Sequence, residues 1–235
     1  MEKQNLFKWK HYQSDIILLT VRWYLRYNLS FRDLVEMIEA RGLSMAHTTI
    51  MRWVHQYGPE LDERVRRHLK PTNDSWRVDE TYVKVKGQWM YLYRAVDSEG
   101  DTIDFYLSKA RNKQAAKRFF KKALGFSHVS MPRVITVDKN PAYPIAIQDL
   151  KEEKQMPEGI QLRQVKYLNN IIEQDHRFIK KRIRPMLGLK SFRTAKRIIA
   201  GIEAMHMIKK GQTLQREKSD QNLKDFIHKL FGVAQ

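Results

Sequence analysis

The sequence contains no cysteine. That excludes disulfides and thiolate-bound zinc, and it allows a reducing cytoplasm. Long hydrophobic runs are missing too. The longest, such as Ile16-Ile17-Leu18-Leu19, fall far short of the roughly 20 apolar residues needed to cross a bilayer. The opening Met1-Glu2-Lys3-Gln4-Asn5-Leu6-Phe7-Lys8 has no apolar signal core. The expectation is a soluble, unexported cytoplasmic protein with no membrane contact. Acidic residues are scarce beside basic ones, 26 against 44, for a formal net charge of +18. The basic excess is spread along the chain and does not form a tail. A field of that kind points to a polyanion, nucleic acid above all. Apolar residues make up 42% of the 235, enough for one or two domains with a real core. There is no internal repeat and no low-complexity segment.

Residues 14 to about 69 read as helices. Ser30-Phe31-Arg32-Asp33 is a capping-box start with Asp in the place of Glu or Gln. Phe31, Leu34, Val35 and Ile38 then recur on one helical face, and Gly42 is placed to end the helix. Ser44 is the expected cap of a third helix with an apolar face of Ile50, Trp53, Val54 and Tyr57. Two short amphipathic helices around a glycine turn form a helix-turn-helix pattern. Thr48, Thr49, Arg52, His55 and Gln56 lie off the apolar face of the third helix, where they could reach base edges or phosphates.

After the turn-rich segment 69–75 the period changes to two. Three strands over 76–85, 88–96 and 102–107 make a meander. A helix over 112–124, a strand over 133–138, a helix near 144–153, a short extended piece over 161–166 and a helix near 169–183 follow. The order βββαβαβα implies an α/β fold, a mixed sheet with flanking helices and its first strand central. The ribonuclease-H-like fold is the best-known host of that order. The expected division is a helix-turn-helix domain over 1–70, a catalytic domain over 71–190, and helices over 191–235 that pack on the core or at an oligomer interface.

Three acids occupy three different settings. Asp79 sits within a strand-like run, where Asp is disfavoured. Asp138 ends the apolar strand Val134-Ile135-Thr136-Val137. Glu173 lies early in a helix, with 34 residues between it and Asp138. Each has an ordinary reading alone: a solvated strand residue, the opening of a turn with Asn140 and Pro141, a helix surface position. Together, on a basic chain, they suggest a site for Mg²⁺, a hard cation that takes oxygen ligands. Two such ions about 3.5–4 Å apart can activate a nucleophile and stabilise a leaving oxygen in phosphoryl transfer. Strand alternation sets Glu80 on the face opposite Asp79, and Asp175 lies about 200° around the helix from Glu173. Asp104 remains a possible auxiliary acid. His176 and Lys180 share the face of Glu173, and Lys180 is placed to grip a phosphate.

The blocks Trp76-Arg77-Val78-Asp79-Glu80-Thr81-Tyr82, Tyr91-Leu92-Tyr93-Arg94-Ala95-Val96-Asp97, Val137-Asp138-Lys139-Asn140-Pro141-Ala142-Tyr143 and Tyr167-Leu168-Asn169-Asn170-Ile171-Ile172-Glu173-Gln174-Asp175-His176-Arg177 closely resemble bacterial insertion-sequence transposases of the family numbered six. The resemblance runs essentially end to end and includes Lys210-Gly211-Gln212. These are DDE transposases with a ribonuclease-H-like core. The resemblance implies that Asp79, Asp138 and Glu173 form the catalytic, metal-holding triad, and Lys180 matches a basic position of the family. Two Mg²⁺ ions are implied, with Mn²⁺ a possible substitute. The implied reaction hydrolyses a phosphodiester at the element end to free a 3′-OH. That 3′-OH is then transferred into target DNA, with a cointegrate as product. The implied partners are double-stranded DNA, as terminal inverted repeats and as target, and further copies of the chain in a dimer or larger assembly. No small-molecule substrate is expected. Arg177 and Lys180 join the helix-turn-helix residues as expected DNA contacts.

Two other readings compete. One is a helix-turn-helix regulator on a catalytically silent core, which the complete triad argues against. The other is a tyrosine nucleophile, drawn from ten tyrosines, with no paired-histidine metal motif to support it.

Overall fold

The computed structural model describes residues 6–8, 10–165, 170–186, 189–214 and 220–233. Tyr167, Leu168 and Asn169 of the last motif block lie outside the described residues, as do the end of the 161–166 extended piece and the start of the 169–183 helix. The chain divides into two compact units, residues 70–180 and residues 1–69 with 181–235. The expected break lies at 190, with the helices over 191–235 packing on the core or at an oligomer interface. Contacts group everything after Lys180 with the first helices.

In the helical unit, α1 (Ser14–Arg26), α2 (Phe31–Glu39) and α3 (His47–Arg66) are joined by α7 (Phe192–Lys210) and α8 (Asp220–Phe231). The capping box of α2 forms as expected: Ser30 Oγ accepts from Asp33 N, and Asp33 Oδ2 accepts from Ser30 N at 2.7 Å. Gly42 takes φ +76°, the left-handed conformation that glycine reaches without strain. Ser44 does not cap α3. The helix begins after Ala46 with no side-chain cap, and the Ser44 carbonyl accepts from the Tyr12 hydroxyl. The segment before His47 is tied through the Ser44 backbone to Tyr12, a tertiary contact that a local capping rule does not register. α7 crosses α3 where Gly58 meets Gly201. A Cβ on Gly201 would come within 2.9 Å of Gly58 Cα and 2.8 Å of Leu25. Two glycines thus let two backbones touch, and the tail helices complete the core of the first helices.

In the second unit, β1 (Ser75–Val85), β2 (Gln88–Asp97) and β3 (Thr102–Ser108) form the meander. They are followed by α4 (Lys113–Leu124), β4 (Val134–Val137), α5 (Ala142–Glu152), β5 (Gln161–Gln164) and α6 (Asn170–Ile183). The sheet order is β3-β2-β1-β4-β5, so β1 is central as expected. β1 runs antiparallel to β2 and parallel to β4. Trp76, Val78, Tyr93, Ile135 and Val137 face one side, where Phe119, Phe120, Tyr143 and Ile147 of α4 and α5 cover them. The alternate residues of β1, Arg77 and Asp79, point to the side that α6 occupies.

Candidate active site

Register brings the first two acids together. β1 and β4 pair as Ser75 with Val134 and Arg77 with Thr136. Two residues further along, that register sets Asp79 beside Asp138, on the same side of the sheet. β4 ends at Val137, so Asp138 leaves the strand as the chain turns. Its Oδ1 accepts from Asn140 N at 2.9 Å, the local turn that its sequence position suggested. The other oxygen remains directed to the site, 3.7 Å from Arg111.

Glu80 is the correction. Its side chain does leave β1 on the face opposite Asp79, but it is not remote. One oxygen each from Asp79, Glu80 and Asp138 lie within 4.8 Å of one another. Beyond the end of β4 no strand flanks that edge of β1, so a Glu side chain is long enough to reach round to the rim. Its oxygens are already engaged. Arg111 Nε and Asn140 Nδ2 donate to Oε1, and the Tyr143 hydroxyl donates to Oε2. Burial raises the Glu80 carboxyl above its ordinary value, with Tyr143 and Arg111 opposing the rise and the charges of Asp79 and Asp138 adding to it. Tyr143 is buried and held protonated, pushed well above 10 by burial and then by the Glu80 charge, so it is a donor and not a nucleophile.

Glu173 on α6 is exposed and stands outside that close trio. It lines one cleft of about 500 Å³ with Asp79, Glu80, Tyr82, His176, Arg177 and Lys180. α6 is fastened to the sheet from beneath. Arg94, fully buried on β2 opposite Asp79, donates to Asp175 at 2.6 Å and stacks over Phe178 at 4.9 Å. His176 Nε2 meets Asp79 Oδ2 at 3.3 Å. Asp175 is therefore a clamp that aims Glu173, which its place on the helix far from Glu173's face makes possible.

Asp104 is no auxiliary acid. It is buried in β3 with both oxygens on Lys122 of α4 at 2.7 Å. Of the expected DNA contacts, Arg177 and Lys180 flank the cleft, exposed. In the helical unit Arg52 and Gln56 are exposed, and Thr48 and Thr49 half-buried. His55 is half-buried, and its pKa is lowered first by burial and then by the charge of Arg197 on α7. Glu80, Arg94, Arg111, Asn140 and Tyr143 were not singled out as site residues by sequence. Glu80, Arg94, Asn140 and Tyr143 lie within the quoted motif blocks, and Arg111 lies outside them all.

A family model described as a DDE domain matches residues 73–212. The transposase of the insertion-sequence-like element IS431mec of Staphylococcus aureus is 38% identical over 88% of this chain and 89% of its own length. The chain belongs to the DDE transposases of insertion-sequence family six. The transposase of the element IS257 in transposon Tn4003, also from Staphylococcus aureus, is similar to the same degree. Among solved structures, the catalytic core domain of HTLV-2 integrase in complex with magnesium aligns at 17% identity, covering 56% of this transposase and 84% of that chain, with a TM-score of 0.43. The BIV integrase core aligns at 15% identity over 66% of this chain and 97% of that one, also at 0.43. The transposase carries a ribonuclease-H-like mixed sheet of five strands, with a helical region at its N-terminus.

Proposed function

We propose that this transposase binds the terminal inverted repeats of an insertion sequence, cuts at the element end to free a 3′-OH, and joins that strand to target DNA, giving a cointegrate. The observation that carries the reading is the meeting of Asp79 and Asp138 at the end of β4, in a basic chain, with Glu173 in the adjoining cleft. Asp79 and Asp138 offer carboxylate oxygens close together and partly open to solvent, with the Glu173 carboxylate on the same cleft, and such donors fit a hard divalent cation. Asp79, Asp138 and Glu173 would hold the metal. Mg²⁺ is the best candidate, as a pair of ions, with Mn²⁺ able to replace it. Such ions, when bound, lower the pKa of water and offset charge on phosphate oxygens.

The remaining roles belong to the chain's own side chains. Glu80, tied up by Tyr143, Arg111 and Asn140, shapes the rim and spares its neighbours from that task. Lys180 and Arg177 hold the phosphates of the strand that enters the cleft. Arg52 and Gln56, with Thr48 and Thr49, are the proposed readers of the repeat. Two element ends must meet, so the working form is a dimer or larger assembly, acting in the cytoplasm on nucleoid DNA.

The test is direct. The purified chain is incubated with a labelled end duplex, with and without Mg²⁺, and the products are sized. A metal-dependent nick at the element end is expected. Asp79→Asn should bind the duplex and leave it intact. Wild-type cleavage by Asp79→Asn would refute the assignment. Repeat binding with no metal-dependent cleavage, even on a supercoiled donor, would favour the silent regulator.

A further inference from the structure

The hairpin of β1 and β2 extends past the point where α4 and α5 cover the sheet. Trp76, Val78, Tyr93 and Ala95 are buried under those helices, but farther along the same face the cover ends. There Tyr82 pairs with Tyr91 and Lys84 with Trp89, and side-chain alternation puts all four on that face. Tyr82 is 47% exposed and Trp89 59%, which makes them two of the largest apolar groups left open to water among the described residues. They are not scattered. The Tyr82 and Tyr91 rings are 5.4 Å apart, Tyr82 and Trp89 6.3 Å, and Lys84 Nζ lies 5.6 Å above the Trp89 ring.

A contiguous exposed aromatic cluster marks a binding surface. Its occupant follows from three observations. Tyr82 also lines the cleft that holds Asp79, Glu173, Arg177 and Lys180, so the cluster and the cleft are continuous. Cations, Lys84 on the cluster and Arg177 and Lys180 in the cleft, border it, in a chain of net charge +18. Flat rings beside cations suit the π-face of a base attached to an anionic backbone. A paired duplex hides those faces and shows only base edges in its grooves.

We propose that Tyr82, Trp89 and Tyr91 form a stacking platform for unpaired bases of the DNA strand that runs into the catalytic cleft. This rests on the reading of the cleft as a site that processes DNA. The platform has no hydrogen-bonding code, so it accepts any base. It favours strands whose ends have opened, and it draws the strand past the carboxylates. Tyr82 and Trp89 act by binding and do not take part in the chemistry.

The probe is a short oligothymidylate carrying iodouracil, mixed with the full chain without divalent metal, irradiated, and analysed by mass spectrometry. Cross-links at Tyr82, Trp89 or Tyr91 are expected. By anisotropy, Trp89→Ala should bind the oligothymidylate about tenfold more weakly, and Trp89→Phe should recover most of that loss. Trp89 is exposed, and the cross-link is read on the unaltered chain. Cross-links confined to other residues would overturn the proposal. So would wild-type affinity of Trp89→Ala, including the case in which that change only shifts the oligomeric state because a second copy covers the face. Repeating the measurement in Asp79→Asn separates this from the function. Stacking that persists while the wild-type chain shows no metal-dependent cleavage would refute the transposase chemistry alone. Cleavage without stacking would refute the platform alone.

Discussion

His176 Nε2 lies 3.3 Å from Asp79 Oδ2, linking α6 to the central strand at the first acid of the site. Burial lowers the His176 pKa, opposed by the hydrogen bond to Asp79, so the ring is neutral near pH 7. A carboxylate only accepts, so Nε2 carries the proton and donates it. The ring thereby fixes the Asp79 carboxylate in one orientation while α6 carries Glu173 over the same cleft.

His176→Phe keeps a flat aromatic ring and removes that donor. Loss of an outer hydrogen bond to a metal-holding carboxylate weakens metal binding or activity by roughly 10–100-fold. Calorimetric titration with Mn²⁺ should show the weaker binding alongside slower end cleavage. Equal Mn²⁺ affinity in variant and wild type would show that Asp79 is oriented without His176.

Arg94 and Asp175 form a buried ion pair at 2.6 Å. Removing one partner leaves a charge buried without its counter-ion, which costs about 3–5 kcal/mol. Asp175→Ala should therefore lower the urea midpoint of unfolding strongly. Asp175→Ala combined with Arg94→Met should recover a large part, since the remaining charge is gone. A double variant less stable than Asp175→Ala would contradict the clamp.

Gly201→Val tests the crossing of α3 and α7. A Cβ there meets Gly58 Cα at 2.9 Å, and the neighbour is backbone, which cannot rotate away. Overpacking of this kind costs roughly 1–3 kcal/mol or more. Thermal unfolding should fall for Gly201→Val, and unchanged melting would mean that the two helices do not touch there.

The pH dependence has a definite sign. Burial holds His55, His176 and His228 below 6.5. As pH falls past 6.5 the unfolded chain takes up protons first. The contribution of these groups is thus complete above 6.5 and is lost toward their lower folded values. Melting measured without divalent metal should be lower at about pH 5.5 than at about pH 7.5. His228→Gln should reduce that difference, and an unaltered slope would exclude His228 as a source.

Much of this was legible locally. The strand period from Trp76 onward, the capping box of Ser30 and Asp33, and the positive φ of Gly42 depend on neighbours within a few residues. The same is true of Asp138, whose turn with Asn140 is written in adjacent residues. Errors arose where distance along the chain was bridged in space. Alternation does put Glu80 on the face opposite Asp79, but where β4 stops that no longer keeps its carboxylate away from the other two. Asp104 kept a possible role until Lys122, eighteen positions on, claimed both its oxygens. Likewise, nothing local shows that the charge of Arg197 on α7 acts on His55.

The sequence by itself determined the elements, the basic field and the three acids, because hydrophobic period, turn chemistry and charge are properties of short windows. Tertiary structure decided which groups meet. The parallel register of β1 with β4 sets Asp79 beside Asp138, the buried Arg94–Asp175 pair positions α6, and the Gly58–Gly201 contact recruits the tail helices to the first unit. Those contacts depend on strand pairing and close packing between segments far apart in the chain, and no window of residues contains them.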